Sequence, residues 1–240
     1  MTLFKSLVVG SVLSLAATSA SAIDSFDATK LTGATFEAFT KDIGAALSYK
    51  AVSPAEPLGL LGFDVGIEVT GTSLENIDKW GNAIGDTDLS ILPFPKLHIH
   101  KGLPLGIDLG LVYSSLPGAD LSYIGGEVRY SFVSGNVAMP AIAVRGTYTQ
   151  LMGVDEVDLN TKGLELTVSK GFLMFTPYVG VGNVWTSGEL SYAGVSADAD
   201  PSMFKWFGGL NLNLGLLNIV GEMDQTGDAK SYTMKLGLRF

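Results

Sequence analysis

From about residue 60 onwards, the chain repeats short segments in which apolar and polar positions alternate. In residues 60–71, "LLGFDVGIEVTG", the apolar Val65 and Ile67 share one parity, and the acidic Asp64 and Glu68 share the other. Successive side chains of a β-strand point to opposite faces. A period of two therefore predicts strands with one apolar face and one polar face.

Ten such segments predict ten strands, whose short connections alternate with more polar ones such as residues 72–90 and 189–202. Short turns at one end and longer loops at the other are typical of outer-membrane barrels, whose strand number is even. A barrel of twelve strands is an alternative if residues 45–52 form a strand and one more strand is hidden. A barrel of eight strands would require some of these segments to merge. The predicted strands cover residues 60–71, 91–101, 105–115, 121–133, 139–151, 161–171, 176–188, 203–214, 217–226 and 231–240.

Nearly every charged residue of these strands has one parity, and the opposite parity is apolar in almost every strand. The charged face would be the exterior of a soluble sandwich, whereas it would line the lumen of a membrane barrel. Tyrosine and tryptophan near strand ends favour the membrane barrel, because these residues concentrate at membrane interfaces. We therefore predict an all-β fold, a transmembrane antiparallel β-barrel of ten strands within a range of eight to twelve. The predicted lumen-lining residues are Asp64, Glu68, Lys96, His98, His100, Asp108, Glu127, Arg129, Arg145, Glu165, Lys205, Glu222, Lys235 and Arg239.

The lumen of a ten-stranded barrel is narrow, and its predicted acids and bases nearly balance. Opposite charges in so small a space would pair, because an isolated buried ion is costly. One interpretation is a polar plug of interlocking side chains that stabilises the barrel. The other is a narrow or gated pore with these residues at its constriction. The sequence leaves both open.

Two histidines in "KLHIHKGLPLGIDLG" offer the most specific local chemistry. A three-residue turn would place His98 opposite Asp108, and a carboxylate beside a histidine can orient a general base. His98 and His100 could contribute to a metal site, but further ligands are lacking. Catalysis would also need Ser131 or Ser169 as a nucleophile. We favour a lumen-facing ion pair and predict no catalytic residue, no metal site, no cofactor and no enzymatic activity.

Before the strands, the spacing of Phe36, Phe39 and Ile43 predicts a short amphipathic helix. This helix either docks against the periplasmic rim of the barrel or enters the lumen as a plug, with these residues as its apolar side. The apolar side of the helix could pack in the lumen only where the lumen wall is itself apolar. We assign residues 23–57 to this N-terminal segment and residues 58–240 to the barrel.

The first residues predict export. Lys5, the apolar stretch "LVVGSVLSLAA" and small residues ending at Ala22 form a signal peptide over residues 1–22, cleaved after Ala22. The chain has 15 basic and 24 acidic residues and a net charge of −9, which argues against a nucleic-acid partner. It has no cysteine, so disulfides and lipid-modified cysteine are excluded. We predict the outer membrane of a Gram-negative bacterium, with both chain ends in the periplasm.

The final decapeptide, "SYTMKLGLRF", resembles the C-terminal recognition signal of bacterial outer-membrane barrels, with Tyr232, Leu236, Leu238 and Phe240 in its aromatic and apolar places. This resemblance implies the barrel-assembly machinery as a partner through the last strand. "LGLLGFDVGIEV", "PKLHIHKGLPLGIDLG" and "TPYVGVG" are similar to segments of proteobacterial outer-membrane β-barrel proteins without an established activity, which implies location and fold only. A looser similarity to long-chain fatty-acid channels transfers no binding residue, because this chain is far shorter.

These features support three function hypotheses. The first is a passive or gated channel for small solutes, hydrophobic ones included, with a charged lumen. The alternative is a non-transporting structural or surface-interaction barrel with a closed lumen and residues 72–90 and 189–202 as contact sites. The third, a membrane-embedded hydrolase, rests only on His98 and Asp108. The predicted partners are outer-membrane lipid, the assembly machinery and a small-molecule solute.

Overall fold

The structure is a computed structural model that describes residues 26–85, 89–115 and 121–240. The predicted signal peptide lies outside the described residues. Two α-helices, α1 (Ala34–Leu47) and α2 (Ile77–Trp80), and three short 3₁₀ helices (Ala28–Lys30, Gly81–Ala83 and Pro104–Gly106) accompany eleven strands. The strands are β1 (Phe63–Ser73), β2 (Ile91–Gly102), β3 (Ile107–Ser115), β4 (Ser122–Ser134), β5 (Ala141–Met152), β6 (Val157–Ser169), β7 (Phe175–Tyr192), β8 (Val195–Ala199), β9 (Ser202–Leu214), β10 (Leu217–Thr226) and β11 (Ala229–Arg239).

Antiparallel pairing between sequence neighbours builds most of the sheet, and two further pairings close it. β1 pairs with β11, and β7 pairs with β9 past the short β8, which pairs only with β7. Ten strands thus form a closed antiparallel barrel. The predicted ten-stranded barrel with a short N-terminal helix is confirmed. Closure pairs the backbone around the whole ring, which a sheet in lipid requires.

The two ends of the barrel differ. At one end, called the turn end here, short connections join β2 to β3, β4 to β5, β6 to β7 and β9 to β10. At the other, the loop end, α2 lies in the connection from β1 to β2, and β7 continues past the start of β9 to pair with β8.

The predicted turn between β2 and β3 is wrong. This connection is longer than three residues, and Leu105 and Gly106 adopt left-handed backbone conformations in it, with φ of 64° and 77°. The longer turn shifts the register, so that His98 lies opposite Val112 and not opposite Asp108. The predicted pair of His98 and Asp108 therefore does not form.

The outer face of the barrel is apolar. Leu109, Leu111, Leu164 and Val179 belong to regular strands, yet they are between 41% and 63% exposed. An apolar surface that surrounds a closed sheet is typical of barrels that face lipid. Among the described helices, none is both long and apolar enough to cross a membrane.

Aromatic side chains mark both ends of this apolar surface. Tyr232 lies near the loop end of β11, and Phe240 follows that strand at the turn end, its ring 6.0 Å from that of Phe63. Eight positions separate Tyr232 from Phe240, which on a strand tilted by roughly 40° gives about 20 Å along the barrel axis. This height is close to that of the apolar band of outer-membrane barrels, about 25 Å. Further exposed aromatic residues toward the loop end are Tyr113, Tyr148, Trp185 and Trp206.

The N-terminal part of the described chain lies inside the barrel. It starts at the loop end, where the Asp27 N–H donates to the Ala83 carbonyl at 2.7 Å. α1 follows, with Phe36 and Leu47 fully buried, and residues 48–57 then run through the lumen to the turn end, where β1 begins. The expectation that both chain ends lie on the same side of the membrane is wrong for the described chain. That chain starts at the loop end and crosses the lumen once before β1 begins at the turn end.

Glycines let α1 lie close to the barrel wall. A Cβ atom on Gly44 would overlap with the Thr186 hydroxyl on β7, and one on Gly188 would lie 2.8 Å from the Thr40 hydroxyl on α1. Both approaches are closer than van der Waals contact, so neither position has room for a side chain. The helix and the strand approach each other through their glycines.

We expect Gly44→Ala to lower the free energy of unfolding by about 1–3 kcal/mol, because the added methyl group collides with Thr186. In an exposed helix the same change would stabilise by about 1 kcal/mol, so the sign of the effect reports the close packing. Urea unfolding in detergent micelles measures it. Thr186→Ala in the same chain should restore part of the loss, and Gly146→Ala, with no atom within 4 Å of its Cβ, should be neutral. Stabilisation by Gly44→Ala would contradict the packing of α1 on β7.

Candidate functional site

The lumen has an apolar zone at the loop end and a charged zone that extends to the turn end. In the apolar zone, Phe36 and Phe39 of α1 pack among inward-facing wall residues, with Ile43 partly buried against them. Trp80 of α2 covers this zone, its ring 5.2 Å from that of Phe39. The apolar side of α1 thus meets an apolar part of the lumen. The wall residues here include Leu92, Phe94, Val112, Tyr123, Leu151, Leu159 and Leu190.

The charged zone contains the side chains that alternation places on the lumen parity. Thirteen of the fourteen are at most 5% exposed, and Arg239, at the turn end, is partly exposed. Their function as a channel lining stays a prediction. The thirteen buried residues are Asp64, Glu68, Lys96, His98, His100, Asp108, Glu127, Arg129, Arg145, Glu165, Lys205, Glu222 and Lys235.

Arg145 on β5 connects neighbouring strands of the wall. Its guanidinium lies 2.7 Å from Glu127 on β4 and 3.0 Å from Glu165 on β6. Lys205 on β9 approaches the other oxygen of Glu165 at 2.7 Å. Gly182 on β7 lies in register between Glu165 and Lys205, and its missing side chain leaves space for this contact. One row of ion pairs therefore runs from β4 to β9, and burial is tolerated because each charge has an opposite neighbour.

A second group of charged side chains lies on β1 and its two neighbouring strands. Glu68 accepts a hydrogen bond from the Lys96 ammonium at 2.8 Å, and its other oxygen lies 2.9 Å from Nδ1 of His98. Nearer the turn end, Asp64 pairs with Lys235 of β11 at 2.8 Å. These pairs join β1 to both of its neighbours, so the charged side chains support the seam at which the barrel closes.

Glu222 on β10 binds the backbone of the segment that crosses the lumen. Its carboxylate accepts hydrogen bonds from the N–H groups of Ala51 at 3.1 Å and Val52 at 2.8 Å, and from the Tyr178 hydroxyl at 2.6 Å. Val52 has a φ of 35°, which β-branched residues rarely adopt. The backbone here presents two successive N–H groups to one carboxylate.

Lys50 forms an ion pair between the segment and the wall. Its ammonium lies 3.1 Å from Asp224 on β10 and 2.9 Å from the Ser231 hydroxyl on β11. Among the ion pairs of the described lumen, this one alone joins the segment to the wall. The others connect wall residues to each other.

Arg129 on β4 holds the segment nearer the turn end. Its guanidinium pairs with Asp108 at 2.5 Å and donates to the Ser53 hydroxyl at 2.6 Å and the Pro54 carbonyl at 2.8 Å. A planar guanidinium carries five donors, which allows one side chain to bind the wall and the segment together. Arg129 therefore combines charge compensation with positioning of the segment.

The serines considered as nucleophiles do not meet the histidines. Ser131 donates to the Ala55 carbonyl at 2.6 Å, and Ser169 accepts from the Ala55 N–H at 3.0 Å. Nε2 of His98 instead lies 2.6 Å from the Tyr49 hydroxyl. Within the described ranges, neither serine hydrogen-bonds to His98, and no group of three potential ligands could hold a metal ion. The basis of the hydrolase hypothesis is therefore missing.

Asp42 fastens α1 to the connection that carries α2. Its carboxylate accepts from the backbone N–H of Asn76 at 2.8 Å, from the Asn76 side chain at 2.9 Å and from the Trp80 indole N–H at 2.9 Å. On the exposed side of α1, Lys41 lies 2.7 Å from Glu37, and this contact lowers the pKa of the Glu37 carboxyl. The helix is thus fixed from its buried side.

Sequence reasoning missed several polar residues of the lumen. Tyr178 and Asp224 have the lumen parity of β7 and β10, so a complete reading of the alternation would have included them. Tyr49 and Lys50 lie in a segment without helical or strand structure. No periodic pattern marks them, and only their partners on distant strands show their role.

No known protein-family profile matches the sequence, and no curated protein matches it. Among solved structures, the N-terminal β-barrel domain of Pseudomonas aeruginosa OprF is similar, with 12% identity and a TM-score of 0.39 over 74% of this chain and 97% of that one. The KdgM porin in complex with disordered oligogalacturonate has 8% identity and a TM-score of 0.38 over 75% and 99% of the two chains. Ail, the attachment invasion locus protein of Yersinia pestis, has 14% identity and a TM-score of 0.36 over 75% and 97%. At these values the similarity assigns neither a family nor a function.

We expect Arg145→Leu to lower the free energy of unfolding by about 3–5 kcal/mol, because Glu127 and Glu165 would lose a shared buried partner. Urea unfolding in detergent micelles measures the loss, and Arg145→Lys, which keeps the charge, should cost less. Lys41→Ala removes one partner of the exposed pair with Glu37 and is the matched control, with little expected change. Losses of the same size for Arg145→Leu and Lys41→Ala would rule out the charge-compensating role of Arg145.

Proposed function

We propose that this protein is an outer-membrane β-barrel closed by its own N-terminal segment, and that it acts as a structural or surface-contact barrel. One observation carries the proposal: α1 and residues 48–57 occupy the lumen from the loop end to the turn end. Hydrogen bonds fix this segment to β2, β4, β6, β9 and β10. A segment held by strands on all sides blocks free diffusion through the barrel.

The membrane location is supported by the surface of the barrel. Its outer face is apolar, exposed aromatic residues lie toward both ends, and the sheet is closed, as lipid requires of a spanning sheet. The signal peptide predicted over residues 1–22 supports export. In this arrangement the turn end would face the periplasm and the loop end the exterior.

The contact function is supported by the construction of the loop end. β7 is the longest described strand, and with β8 it forms a hairpin beyond the start of β9, within the predicted contact region 189–202. α2 lies in the other predicted contact region, 72–90, and Asp42 binds it to α1. The N-terminal segment therefore supports the outer surface as well as closing the lumen.

A gated channel is the second candidate, and the distribution of ion pairs favours it. Most charges of the wall pair with other wall charges, so withdrawal of the segment would break a single ion pair, that of Lys50 with Asp224. A wall that keeps its own pairing could remain folded around an open lumen. The apolar zone at the loop end would then admit small hydrophobic solutes.

A disulfide between segment and wall would distinguish the two candidates. Ala55 packs in a cluster with Ala141 and Ala143 of β5, and alanines meet through their Cβ atoms. Ala55→Cys is therefore combined with Ala141→Cys or with Ala143→Cys, and the double variant that forms the disulfide on oxidation is used. The natural chain has no cysteine that could compete.

Planar-bilayer conductance of the oxidised and the reduced double variant is the measurement. The closed barrel predicts no channel openings in either state, because the segment stays in place without the disulfide. The gated channel predicts openings after reduction that disappear on oxidation. Ala55→Cys alone is the control for the redox reagents. Openings that are equally frequent in both states would contradict both candidates.

A further inference from the structure

A groove of about 730 Å³ lies on the outer face of the barrel between β3 and β6. Leu109, Leu111 and Val128 form its apolar sides, and its floor passes over Gly126 on β4 and Gly146 on β5. These residues have the outward parity of their strands. In a membrane barrel the groove therefore opens toward lipid.

Close packing does not require the two floor glycines. A Cβ atom on Gly146 would meet no atom within 4 Å, and one on Gly126 would meet its nearest neighbour at 3.6 Å, an ordinary contact. Neither has the positive φ that favours glycine. This differs from Gly44, where a Cβ atom would collide with the wall. Side chains would fit at both floor positions, so their absence opens space for another molecule.

A lysine stands at the loop-end side of the groove. Lys162 on β6 is exposed on the outer face and lies in register between Tyr148 on β5 and Trp185 on β7. None of the ion pairs among the residues that the structure describes includes its ammonium. A smaller groove beside Ile67 on β1 has no charged residue in its lining. The combination of an apolar floor and a cation is thus a property of the larger groove.

The order of these residues along the barrel axis matches the polarity of a lipid. Lys162, Tyr148 and Trp185 lie toward the loop end, where lysine and aromatic side chains meet headgroups. Leu109 and Val128 lie farther toward the turn end and so deeper in the apolar band. A headgroup at the lysine would place an acyl chain along the glycine floor.

We propose that this groove binds an anionic phosphorylated lipid of the loop-side leaflet, with its phosphate on the Lys162 ammonium and an acyl chain over Gly126 and Gly146. The proposal rests on the membrane barrel proposed above. A cation without an ion-pair partner in the described chain favours an anionic headgroup over a zwitterionic one. Lys162 therefore selects the headgroup, and the glycine floor accommodates the chain.

Tryptophan quenching in bilayers tests this site. Trp206→Phe leaves Trp185 as the lipid-facing reporter beside Lys162, and Trp185→Phe leaves Trp206 as the matched reporter outside the groove; Trp80 is buried in both. Each full chain is reconstituted into vesicles of dibrominated phosphatidylcholine, whose bromine atoms quench nearby tryptophan. Diphosphoryl lipid A is then added as the probe, and recovery of fluorescence reports displacement of the brominated lipid.

We expect half-recovery at Trp185 at an about fivefold lower mole fraction of lipid A than at Trp206. Lys162→Gln should abolish this preference, and Gly146→Leu, which fills the groove, should reduce it with the lysine in place. Equal recovery at the two tryptophans, or a preference that survives Lys162→Gln, would overturn the lipid site.

Two further outcomes separate this proposal from the one on which it rests. Quenching of Trp206 without quenching of Trp185 would overturn the lipid site, because it would show that protein covers the groove. Absence of quenching at both Trp185 and Trp206 would mean that the barrel is outside the bilayer. In that case the membrane location itself would be wrong.

Discussion

The interior of this barrel depends on one constraint: a charge removed from water must have an opposite charge or several donors beside it. Alternation in the strands presents apolar side chains outward, and it necessarily directs the polar parity into a narrow lumen. Arg145 between Glu127 and Glu165, and Lys96 beside Glu68, meet the requirement by pairing across neighbouring strands. The same ion pairs therefore tie the strands together and determine how much of the lumen remains free.

The segment in the lumen supplies hydrogen-bond donors to a buried wall carboxylate that has no ion-pair partner on the wall. Glu222 forms no ion pair with a described residue and is bound by neutral donors, namely the N–H groups of Ala51 and Val52 and the Tyr178 hydroxyl. A left-handed backbone at Val52 costs on the order of 1–3 kcal/mol, and hydrogen bonds to a carboxylate, which are stronger than neutral ones, offset it. Side-chain partners on the wall thus give residues 48–57 a defined path without secondary structure.

Much of the wall could be predicted because the strand period is local. The bounds of β10, Leu217–Thr226, are those expected. Arg145 and Glu165 have the expected inward parity. Parity is a strong constraint, because a register shift of one residue would turn every side chain of a strand to the opposite face. The turn after β2 could not be predicted. It contains Leu105 in a left-handed conformation, which leucine seldom adopts, and the resulting register separates His98 from Asp108.

The sequence by itself determined a closed barrel with an apolar exterior and a charged interior, because a period of two and the requirement for paired backbone in lipid leave few other solutions. Only the tertiary structure decided that α1 and residues 48–57 fill that interior. Lys50 meets Asp224, 174 positions away along the chain, and Tyr49 meets His98, 49 positions away. Contacts of this kind depend on which residues closure brings together, and no local pattern around Lys50 or Tyr49 records that.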